Sequence, residues 1–74
     1  MKVHYFRIII NADDWLRYYR GAADAVIVRS MSGLTISLPA RHFRSFTSYS
    51  GVQGLFRLIL DDDHKFVSLE KIRP

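Results

Sequence analysis

The chain has 74 residues, a formal net charge of +4, 49% apolar residues and no cysteine. That length makes one domain, 1–74, which buries only roughly 60% of the surface its unfolded chain exposes. The missing thiols exclude disulfides and thiolate metal sites. No apolar run is long enough for a signal peptide or a membrane span, so the cytoplasm is the expected location.

Residues 3–10 alternate as a strand, with His4, Phe6, Ile8 and Ile10 on one face and Val3, Tyr5, Arg7 and Ile9 on the other. Asn11 is a helix N-cap, supported by Asp13 and Asp14 in the first turn. Ala12, Trp15, Leu16, Tyr18 and Tyr19 form one apolar arc, and Gly21 is the expected stop. Asp13 and Asp14 lie four and three residues before Arg17, the spacing for helical ion pairs.

Ala25-Val26-Ile27-Val28, ending at Arg29, and the alternating Leu34, Ile36 and Leu38 predict a hairpin around Gly33. Pro39 ends the second strand. In Ala40-Arg41-His42-Phe43-Arg44-Ser45-Phe46 the phenylalanines are three apart, and so are the arginines. A 3₁₀ turn over this stretch aims Phe43 and Phe46 inward and Arg41 and Arg44 outward. Residues 52–60 return to strand, and 65–72 close a second hairpin across Asp61-Asp62-Asp63-His64. The expectation is an α+β fold: a small, strongly bent five-stranded antiparallel sheet with one helix packed on it. An SH3- or Sm-like barrel is the alternative.

The charge is concentrated. Residues 17–44 hold Arg17, Arg20, Arg29, Arg41 and Arg44 against the single acid Asp24. Such a balance favours anionic partners. Arg29, Arg41, His42, Arg44 and Tyr49 are therefore candidate nucleic-acid contacts, guanidinium groups for phosphate and rings for unstacked bases. RNA or single strands fit better than a duplex, because no recognition helix is evident.

A second surface competes with the first. Residues 3–10 and 52–60 are apolar on both faces, and one helix covers only one side of a sheet. Tyr5, Ile9, Leu55, Arg57 and Ile59 are the candidates for a protein interface, most simply with a second copy of the chain. The aspartate run reads as turn chemistry and not as a metal site, since adjacent carboxylates converge poorly on one ion. No phosphate loop, nucleophile elbow or zinc motif is present. Neither catalysis nor a cofactor nor an enclosed small-molecule pocket is expected.

The stretches Trp15-Leu16-Arg17-Tyr18-Tyr19-Arg20-Gly21, Ala25-Val26-Ile27-Val28-Arg29-Ser30, Leu38-Pro39-Ala40-Arg41-His42-Phe43-Arg44-Ser45-Phe46 and Gly51-Val52-Gln53-Gly54-Leu55-Phe56 together cover most of the chain. On them the chain resembles the short bacterial proteins of domain-of-unknown-function family 2835. The resemblance implies a stand-alone protein of a gammaproteobacterium, and it implies no activity and no catalytic residue.

Overall fold

The computed structural model describes residues 1–20 and 24–74, apart from the side chain of Tyr19. In chain order the elements are β1 (Lys2–Ile10), α1 (Ala12–Tyr19), β2 (Ala25–Arg29), β3 (Thr35–Pro39), a 3₁₀ segment (Ala40–Phe46), β4 (Val52–Leu60) and β5 (Phe66–Arg73). The α+β order is the one the sequence predicts. The expected Gly21 stop and the placement of the Tyr19 ring lie outside the described residues.

The five strands divide between two antiparallel sheets instead of forming one bent sheet. One has the order β1-β4-β5, and the other pairs β2 with β3. Outside those ladders, the N–H of Met31 donates to the Tyr5 carbonyl at 2.8 Å and ties the hairpin to β1. Val26, Val28 and Leu38 belong to the same buried cluster as Phe6 and Phe56. A hairpin that folds over the core in this way leaves the plane of β1, and the ladder breaks there. Among the described residues no ladder closes the circuit into a barrel.

Local chemistry explains the elements. The Asn11 side chain accepts the Asp14 N–H at 2.9 Å, satisfying one of the unpaired donors at the start of α1. The Asp13–Arg17 and Asp14–Arg17 ion pairs expected from spacing do not form. The ion pairs among the described residues are Met1–Asp62 and Arg57–Glu70. The aspartate run acts as a turn: Asp61 Oδ1 accepts from the N–H groups of Asp63 and Lys65 at 2.8 and 2.9 Å. Asp62 takes the terminal ammonium of Met1, and Lys2 Nζ lies 3.2 Å from His64 Nε2. The start of β1 is thereby pinned to the turn between β4 and β5.

The core is aromatic and lies on one side of the three-stranded sheet. Phe6 and Phe56, directly paired across β1 and β4, stack with ring centroids 5.5 Å apart. Phe43 meets both edge-on, at 6.2 and 5.7 Å, and meets Trp15 at 6.5 Å. Phe46 packs against Phe56 from the same 3₁₀ segment. Phe43 is wholly buried and Phe46 partly so, while Arg41 and Arg44 are exposed. Three residues per turn produces this split.

Two outcomes are expected in urea unfolding. Phe43→Ala removes the ring shared by sheet, helix and 3₁₀ segment and should cost about 3–5 kcal/mol, most of the stability of a small domain. Gly51 has φ of 102°, and a Cβ there would overlap the Ile10 carbonyl and crowd the Asn11 and Ala12 backbone. Gly33 has φ of 91° but open space around it. Gly51→Ala should therefore destabilise by more than about 2 kcal/mol and Gly33→Ala by only about 1.

Candidate functional site

Two surfaces result from this fold. The first is the outer face of the three-stranded sheet. Strand alternation sends Phe6, Val52, Phe56 and Leu58 into the core, so the neighbours of those residues in sequence must point away from it. The register then pairs Val3 with Ile59, Tyr5 with Arg57, Arg7 with Leu55 and Ile9 with Gln53. Tyr5, Ile9, Leu55, Arg57 and Ile59 consequently share one face. Ile9 is 74% exposed, Val3 48% and Tyr5 40%, while Leu55 and Ile59 are half-buried.

The row Tyr5–Arg57–Glu70 crosses all three strands at the middle of that face. Arg57 Nη2 donates to Glu70 Oε2 at 2.7 Å. The hydrogen bond to Glu70, then that to Tyr5, and the charge of Glu70 push the guanidinium further above its ordinary value. Val3, whose partner is Ile59, was not among the sequence candidates, although strand alternation alone places it with them.

The second surface surrounds the 3₁₀ segment. Arg41 and Arg44 lie on one side of it and line an open cleft of about 600 Å³ with Tyr18, Asp24, Ser37 and Pro39. Neither guanidinium has a carboxylate within ion-pair distance among the described residues. The cleft forms where α1, the hairpin and the 3₁₀ segment meet. It is open to solvent and not enclosed.

The other candidates on this side are dispersed. Ala25 pairs with Pro39 and Arg29 with Thr35, so Arg29 sits at the far end of the hairpin from the 3₁₀ segment. Four strand residues separate the two ends by about 13 Å, and Arg29 does not extend the Arg41–Arg44 pair. Tyr49 is fully exposed in the tight turn bridged by Ser48 and Gly51.

His42 turns away from its arginine neighbours, because successive 3₁₀ residues diverge by a third of a turn. Its ring stacks on Phe66 of β5, with centroids 3.8 Å apart and an interplanar angle of 11°. Phe66 is a contact that sequence spacing does not reveal. One face of the imidazole is therefore already occupied by a protein ring.

Burial, then the nearby Arg41 charge, lowers the His42 pKa below its ordinary 6.5. The sign follows directly. The unfolded chain takes up this proton at higher pH than the folded one, so the His42 contribution is intact above the unfolded value and is lost as pH falls below it. Unfolding free energy should drop as pH is lowered through the ordinary histidine range around 6.5, and His42→Gln should flatten part of that slope. Denaturant titrations of both proteins across that range check it.

No three metal-binding side chains converge among the described residues. No described helix is long and apolar enough to cross a membrane. No curated protein and no solved structure matches the chain. The family model described as Protein of unknown function (DUF2835) matches residues 2–72 of the 74. The chain belongs to that family.

Proposed function

We propose that this protein is a non-enzymatic interaction module of the cytoplasm that works by self-association through the outer face of its three-stranded sheet. The observation that carries the proposal is the gathering of Tyr5, Ile9, Leu55, Arg57 and Ile59, with Val3, on the face of the three-stranded sheet that no described helix covers. Nine-residue strands make that face about 30 Å long, and three strands make it about 15 Å wide, which suits face-to-face sheet packing. A two-fold contact sets the face against its own copy, so one patch serves both sides. Arg57 is already neutralised by Glu70, so covering the centre strands no unpaired charge. The Arg7 side chain is long enough to carry its guanidinium to the rim.

Sedimentation equilibrium tests this reading. Wild type should be dimeric at micromolar concentration, and Ile9→Glu should be monomeric with unchanged circular dichroism, because Ile9 contributes little to the monomer core. A wild type that stays monomeric at about 100 μM ends it.

A second reading, binding of RNA or single strands, is favoured by the exposed guanidinium groups of Arg41 and Arg44, which pair with no carboxylate among the described residues, and by Tyr49, fully exposed nearby in sequence. Affinity for mixed-sequence RNA should then fall steeply with salt, and Arg41→Ala/Arg44→Ala should both weaken binding and shallow that slope. Salt-independent affinity, or an inert double variant, sinks it.

A further inference from the structure

The cleft beside the 3₁₀ segment shares Arg41 and Arg44 with the nucleic-acid reading but sets them among groups that neither reading above uses. Its two arginines are three residues apart on a 3₁₀ helix, where side chains at that spacing lie one above the other and not splayed. Two arginines one turn apart on the same side can both reach the oxygens of a single phosphate group. Neither spends its charge on a protein carboxylate among the described residues.

The rest of the lining narrows the ligand. Asp24 brings an acceptor-only carboxylate into the same cleft, and Ser37 brings a hydroxyl that donates and accepts. A carboxylate repels bare phosphate, so its presence favours a ligand that carries donors next to its anionic group. Sugar hydroxyls are such donors. Tyr18 and Pro39 supply an apolar wall, and the space of about 600 Å³ falls in the range of small-ligand sites.

The position of Asp24 is structural as well. Its backbone carbonyl accepts the Ala40 N–H at 2.8 Å, and the adjacent Ala25 pairs with Pro39. Acid and arginines are therefore fixed relative to each other by the backbone that starts the 3₁₀ segment. Concavity separates this site from a strand-binding surface: its polar residues line one small cleft, whereas a nucleic-acid track needs cations spread along a path.

We infer that the cleft between α1, the β2–β3 hairpin and the 3₁₀ segment binds a small phosphorylated sugar, with Arg41 and Arg44 holding the phosphate and Asp24 and Ser37 the hydroxyls. The site is distinct from the outer sheet face, so it stands or falls independently of self-association.

Calorimetric titration of the full chain with ribose 5-phosphate, inorganic phosphate and ribose tests the assignment. Ribose 5-phosphate should bind saturably and more tightly than either fragment. Arg41→Gln and Arg44→Gln should each weaken it about tenfold, the loss expected for one charge-assisted contact. Asp24→Ala should erase the preference for ribose 5-phosphate over inorganic phosphate, a change that a merely structural role would not produce. Arg17→Gln, an equal loss of charge on the exposed side of α1, should change nothing. Adenosine 5′-monophosphate sorts the two sources of this chemistry: tighter binding assigns a mononucleotide, and equal or weaker binding a free sugar phosphate.

Absence of saturable binding at millimolar ligand overturns the inference. So does an equal loss in Arg17→Gln, which would mark a diffuse charge effect. RNA binding that ribose 5-phosphate fails to displace also overturns it and transfers the arginines to the nucleic-acid reading.

Discussion

The three-stranded sheet has two faces, and α1, the hairpin and the 3₁₀ segment all close over the same one. Among the described residues no element covers the other. All the fully buried large side chains, Phe6, Phe43, Phe56, Leu58 and Val52, belong to the covered side. Stability is thus concentrated in one aromatic layer, while the opposite face keeps Val3, Tyr5 and Ile9 in solvent. Apolar burial stabilises at roughly 25 cal/mol per Å². A sheet left half open is under continuing pressure to find a cover, and this links the one-sided core to the interaction module inferred for the outer face.

Phe43 is the joint between the two halves of the molecule. It contacts Phe6 and Phe56 of the sheet and Trp15 of the helix, and it belongs to the segment that leaves β3. Burying it fixes the rotation of the 3₁₀ segment about its axis. That rotation in turn aims Arg41 and Arg44 at the cleft and His42 at Phe66. The surface chemistry is therefore a consequence of core packing: one ring inside decides where three polar side chains go outside.

How much of this was legible in the sequence depends on the range of the interaction. Asn11, Gly33 and the three-residue spacing of Phe43 and Phe46 act locally, and each is read correctly from its neighbours. Strand alternation likewise suffices to put Tyr5 with Ile9 and Leu55 with Ile59. What spacing cannot supply is register between distant segments. Arg29 lies in a strand that leads toward Arg41 in sequence, yet the pairing of Ala25 with Pro39 puts it at the wrong end. The same pairing brings Asp24 to the arginines, and tertiary packing alone brings Phe66 to His42. The division into two sheets is also a tertiary outcome, since either arrangement satisfies the same alternation.

The pairing of β1 with β4 has a bearing on how the chain acquires this structure. Its closest rung joins positions 10 and 52 and its farthest joins 2 and 60. Both hairpins close over short loops, but this ladder must close over most of the chain, and non-local pairing of that kind is slow. During synthesis β1, carrying Val3, Phe6 and three consecutive isoleucines, emerges well before its partner β4. Until then an apolar strand with unpaired edges is exposed, the condition under which nascent chains stick to one another. The strand that seals the core is the one the cell has to shelter longest.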